Sequence, residues 1–120
     1  MNWLSKVLRR LRKWHVYLAD LNPRMGTEPG KVRPVVVVQT DLLNGVHPST
    51  VICPLTTNIH PETRFLRVHL VLGEAGLAEQ SDVMVDQIRA IDNRRFIREL
   101  GEIAGESRVK LAEDLRVLLT

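Results

Sequence analysis

The chain is poor in several things that would have fixed its class at once. It has one cysteine, Cys53, in 120 residues, so no intramolecular disulfide can staple it. That thiol sits in the apolar run Val51-Ile52-Cys53-Pro54-Leu55 and reads as an inert buried group. Nothing points to an oxidising compartment, and the cytoplasm is the expected location. No apolar run approaches the roughly 20 residues needed to cross a bilayer, so no membrane partner is expected. There is no GxGxxG, P-loop, HExxH or CxxC pattern, and the four histidines, His15, His47, His60 and His69, lack ligand spacing. Neither a metal site nor a cofactor is expected. Aromatics are only 4% of the chain. If the partner were a nucleic acid, hydrogen bonds would carry more of the recognition than ring stacking.

Charge is present but unevenly spread. The formal net charge is +3, yet the first thirteen residues hold Lys6, Arg9, Arg10, Arg12 and Lys13 and no acid. The remaining 107 residues therefore carry −2. Basicity belongs to the leader, where Trp3, Leu4, Val7, Leu8 and Leu11 recur at helical spacing. Residues 1–13 read as a basic amphipathic extension, either a docked accessory helix or a segment for a partner or membrane surface. Residues 14–120 read as one domain, large enough for a core without staples.

The body reads as short strands closed by a helix. Strands are expected at 14–19, about 34–39, 49–55, 65–70 and 81–87. A long loop over 22–31 holds two prolines and two glycines, and "IDNRRF" reads as a turn or short helix. From Ser107, a plausible N-cap, a helix to residue 119 would bury Leu111, Ala112, Leu115, Leu118 and Leu119 and leave Val109 outside the stripe. The pattern suggests a mainly β fold, a small and strongly bent barrel with a C-terminal α-helix.

Four valines, Val35 to Val38, read as a strand buried on both faces. Arg33 stands at its mouth, where Pro34 forces extended backbone. Other polar residues fall at strand ends: Glu28 in the preceding loop, Thr56 and Thr57 after the third strand, Asp86 and Gln87 closing the fifth. Loops at one rim of a rigid scaffold are where function concentrates. Each residue alone is an ordinary rim residue.

Together they resemble a known family. Asp20-Leu21-Asn22-Pro23, the run from Gly26 to Val37 ("GTEPGKVRPVVV"), Pro54-Leu55-Thr56-Thr57, Gly76-Leu77 with Ser81, and Val85 to Asp92 ("VDQIRAID") are similar to the MazF/PemK/Kid toxins. The resemblance runs from about Trp14 to the C-terminus. It implies an SH3-like barrel with a C-terminal helix and a homodimer. It implies a metal-independent, sequence-selective endoribonuclease acting on single-stranded RNA. It also implies a toxin neutralised by a cognate antitoxin whose disordered tail covers the RNA site. Arg33 and Thr56 match the family's catalytic pair.

The chemistry of these residue types agrees. RNA cleavage without a metal proceeds by attack of the 2′-hydroxyl on its own phosphate, leaving a 2′,3′-cyclic phosphate and a 5′-hydroxyl. A guanidinium offers parallel donors to the phosphoryl oxygens as their charge grows. Arginine is not readily deprotonated, so its role is charge stabilisation. Glu28, Asp86 and water are candidate bases, and Asp86 has the alternative of a structural acceptor for backbone amides. Arg24, Lys31, Thr57 and Asn58 are candidate RNA contacts, with Thr27, Met84 and Gln87. Thr27 and Met84 stand where some relatives carry histidine and arginine, and Trp14-His15 replaces a glycine-acid pair. Some proteins of this fold poison DNA gyrase without nuclease activity, which is the competing reading.

Overall fold

The computed structural model of the chain describes residues 11–23, 25–27, 30–62 and 65–120. Its strands are β1 (His15–Asp20), β2 (Val32–Val37), β3 (Ser49–Thr56), β4 (Arg67–Leu70), β5 (Ser81–Met84), β6 (Arg89–Asp92) and β7 (Phe96–Glu102). One helix, α1 (Gly105–Leu119), follows them. The sheet order is β4-β5-β3-β2-β1-β7, with β6 pairing β3 outside that path, and every pairing is antiparallel.

The valine run explains the centre of the sheet. Side chains alternate across a strand. Val36 and Val38 enter one core with Val16, Cys53, Leu55, Val83 and Leu111. Val35 and Val37 enter a second core with Leu11, Tyr17, Ile52, Ile91 and Phe96. Both faces of β2 are covered, as four consecutive valines require. Leu11 is fully buried in the second core, so the end of the basic leader packs on the domain. The expected helix over residues 1–13 lies mostly outside the described residues.

The fold is mainly β with a C-terminal helix, and the sheet curls without closing. The outer strands β4 and β7 do not pair with each other. A 3-10 turn at Glu74–Gly76 lies against β7 instead. Its backbone approaches so closely that a β-carbon on Gly76 would sit 2.2 Å from the Leu100 carbonyl oxygen, and one on Gly101 2.7 Å from the Ala75 carbonyl carbon. Both positions need glycine.

Several expectations shift. The stretch "IDNRRF", read as a turn or short helix, holds a 3-10 turn at Asn93–Arg95, and this turn joins two strands, β6 and β7, that the sequence reading leaves unassigned. The charged residues Arg98, Glu99 and Glu102 hide β7 in the sequence, and pairing with β1 makes it a strand. The fifth strand stops at Met84, and Val85–Gln87 is a 3-10 turn. The helix starts at Gly105 with Ala104 as N-cap, because the Ser107 hydroxyl is spent on Glu74 Oε2 at 2.6 Å. The same oxygen accepts from the Ala104 N–H at 3.0 Å, so a remote glutamate caps the helix. Leu111 is buried, Leu115 and Leu118 are half-buried, and Ala112 and Leu119 face out. Asp114 takes a buried place through bonds from Lys110 Nζ at 2.8 Å. Val109 is exposed, as its phase predicts.

Candidate active site

The site forms where the second core runs out along one face of β2 and β3. Val37 pairs with Ile52 and Val35 with Pro54, and one step further the same face carries Arg33 and Thr56. Apolar pairs give way to a polar pair at the mouth of the sheet.

Pro34 decides how Arg33 is held. The Val38 N–H donates to the Val51 carbonyl, so even-numbered residues of β2 point their N–H groups at β3. By that register Pro34 should donate to Leu55, but proline has no N–H. The buried Leu55 carbonyl is left without its ladder donor, and an unpaired buried carbonyl is costly. Arg33 Nη1 takes the place at 3.0 Å, while Arg33 Nε donates to the Gly30 carbonyl at 3.1 Å. Two of five guanidinium N–H donors are used on neutral carbonyls. Burial lowers the Arg33 pKa below the usual arginine value, and the group remains a cation at neutral pH.

Thr56 is prepared in a complementary way. Its Oγ1 accepts from the Asn58 N–H at 3.1 Å. An oxygen already accepting a backbone proton is a poorer base, and its own O–H remains to donate. Arg33 and Thr56 line one cavity of about 240 Å3 with Lys31, Thr57, Glu79 and Ser81. Among the described residues two cations face one carboxylate there, which favours an anion. Lys31 is held at the loop's end, its N–H donating to Asn22 Oδ1 at 2.7 Å while its carbonyl accepts from the Leu21 N–H at 3.0 Å.

The other expected site residues scatter. Asn58 positions Thr56 without lining the cavity, and its carbonyl accepts from Arg67 Nη1 at 3.2 Å. Thr27 is exposed beside Gly26, away from the cavity-lining set. Met84 pairs with Arg67 across β4 and β5, and Gln87 sits in the 3-10 turn at 85–87. Asp86 is exposed in that same turn and lies outside the cavity. Its negative charge acts on Cys53, whose thiol is pushed up to about 12, chiefly by burial. Cys53 is thus the inert thiol its apolar neighbours suggested. Arg24 and Glu28 lie outside the described residues. Glu79 escaped sequence reasoning, and Ser81 entered it through the family resemblance without a site role. The local signal for Glu79 is a polar cluster, Glu79-Gln80-Ser81-Asp82, at the start of a strand.

Comparison with known proteins decides the family. Residues 12–119 match the model of the PemK-like, MazF-like toxin of type II toxin–antitoxin systems. The chain belongs to this family. It is 31% identical over 109 residues to the Endoribonuclease EndoA of Bacillus subtilis (strain 168), covering 91% of this chain and 94% of the relative. Its fold is similar to the crystal structure of MazF from Deinococcus radiodurans, with a TM-score of 0.76, 26% identity, and 91% and 96% of the two chains covered. It is also similar to a chain of a MazE–MazF crystal structure from the same organism, with a TM-score of 0.71, 25% identity, and 91% and 95% covered.

Proposed function

We propose that this toxin is an endoribonuclease that cuts single-stranded RNA by transesterification, with Arg33 and Thr56 at the scissile phosphate. The observation that carries this reading is the shared cavity of the two residues, with Arg33 locked by the Leu55 carbonyl. In the proposed reaction the 2′-oxygen bonds to phosphorus and its proton passes to the Glu79 carboxylate. The remaining guanidinium N–H groups of Arg33 and the Thr56 O–H bind the non-bridging oxygens as negative charge grows there. The bond to the 5′-oxygen breaks, and that oxygen takes a proton from water. Among the described residues Glu79 is the preferred base because it is the carboxylate that lines the cavity. Positive charge comes from side chains, so the reaction is proposed to need no metal.

The partners proposed are RNA and a cognate antitoxin, and the chain is proposed to act as a homodimer. Support for the antitoxin is membership of a toxin–antitoxin family and likeness to a chain of a MazE–MazF structure. The test is incubation of the purified chain with single-stranded RNA in excess chelator, followed by end analysis. Cleavage to 2′,3′-cyclic phosphate and 5′-hydroxyl ends is expected. Loss of cutting in chelator would sink the mechanism. Toxicity that survives Arg33→Ala without any RNA cleavage would favour the gyrase-type reading.

A further inference from the structure

A second, larger cavity of about 470 Å3 adjoins β4, β5 and the first turns of α1. Its centre is a buried carboxylate. Asp82, with 5% of its side chain exposed, offers Oδ1 to His69 Nδ1 at 3.0 Å and Oδ2 to Arg67 Nη1 at 3.3 Å. Arg67 Nη1 is fixed a second time by the Asn58 carbonyl. One carboxylate thus holds two planar side chains by their edges. An ionised carboxylate only accepts, so His69 Nδ1 carries the proton and the other ring nitrogen is left for a ligand. His69 is 44% exposed, which leaves its ring available.

Two observations tie this cavity to the active site. Thr56 pairs with Asp82, and Asp82 with His69, so the three side chains share one face in a row across β3, β5 and β4. Adjacent strands lie about 4.8 Å apart, which puts His69 roughly 10 Å from Thr56. Consecutive residues of one segment also divide between the cavities: Glu79 and Ser81 line the smaller, Gln80 and Asp82 the larger. A strand of RNA leaving the Arg33 cavity across this row meets the larger one next.

Charge selects the ligand. Among the described residues lining the larger cavity, Arg67 and Lys110 are balanced by Asp82 and Glu106, and Lys110 is further paired with Asp114. A lining balanced in this way is a poorer phosphate site than the Arg33 cavity. Flat imidazole and guanidinium surfaces beside Ile59 and Pro61 suit a flat, partly apolar group. Unstacked RNA bases lie against histidine rings and arginine planes in this way.

We propose that this cavity is a subsite for one unpaired base of the RNA substrate, in a nucleotide flanking the scissile bond, with Asp82 as the positioning residue. The proposal rests on the endoribonuclease reading. Random-sequence single-stranded RNA is cut by the full chain and by His69→Ala and Asp82→Asn variants, and the cut sites are sequenced. The expected result for His69→Ala is a roughly tenfold loss of base preference at one flanking position, with preferences at the other positions kept. Asp82→Asn should relax the same position if it folds. An oligoribonucleotide abasic at that position should be cut about tenfold more slowly by the wild type, with no further loss in His69→Ala. If the wild type cuts and His69→Ala keeps the same profile at every position, the subsite is refuted and the nuclease stands. An unchanged profile with lost neutralisation by the antitoxin would assign the cavity to a peptide and refute the base subsite. A wild type that cuts no RNA overturns the nuclease reading itself.

Discussion

Two arginines on one face of the sheet are held in opposite ways. Arg33 is fixed by two neutral carbonyls, those of Gly30 and Leu55. Arg67 is fixed by one carbonyl and one buried carboxylate, Asp82. A cation tied by neutral dipoles keeps its whole charge for a substrate. A cation tied by a carboxylate is neutralised where it stands and offers mainly its shape. The first arrangement suits an electrostatic catalyst and the second a recognition surface. Residue type alone does not separate them; the partner does.

The comparison breaks hardest at Arg33. In the proposed mechanism Arg33→Ala removes a donor aimed at developing charge, worth about 3–4 kcal/mol at comparable oxyanion sites. Cleavage should fall by roughly a hundredfold to a thousandfold in single-turnover assays with saturating RNA. Arg67→Ala should cost far less in rate at the same conditions, and equal losses at the two positions would erase the difference between the two arginines. Glu79→Gln should lower the rate roughly a hundredfold, the small end for a general base. An unchanged rate would assign the base elsewhere.

Pro34→Ala sharpens the comparison most directly. It restores a ladder N–H that competes with Arg33 for the Leu55 carbonyl. The fold should persist, while a loosened guanidinium should slow cleavage by about tenfold, close to the worth of one hydrogen bond. An unchanged rate would mean that the carbonyl does not hold the catalyst. The smallest effect concerns an exposed pair. Asp92 is held at about 2, first by the Arg94 side chain and then by the Arg94 N–H. A lowered carboxyl pKa adds stability that is present above the ordinary carboxylate value and is lost as pH falls toward about 2. Arg94→Ala should raise the Asp92 midpoint part of the way back in an NMR titration, because the backbone bond survives, and leave cleavage untouched.

Much of the fold was legible where one local rule sufficed. The four valines announced a strand with two covered faces, and the period of Leu111, Leu115 and Leu118 announced a helix. β6 and β7 were hidden because their strand character comes from pairing with β3 and β1 rather than from their own apolar pattern. The Ser107 cap failed for a related reason. Glu74, thirty-three residues away, binds the same hydroxyl and satisfies the helix end itself. In the site, "RP" and the threonine after "PL" could be read from the chain. Glu79, Asp82 and His69 could not, since no spacing links them to Arg33.

The sequence by itself determined the class, the central strand, the closing helix and the placing of Arg33 and Thr56 at strand ends, because periodicity, proline and family motif are local properties of a chain. Tertiary structure decided what each charge does. Hydrogen-bond partners are set by register across strands far apart in sequence, and only register gave Arg33 a carbonyl and Arg67 a carboxylate.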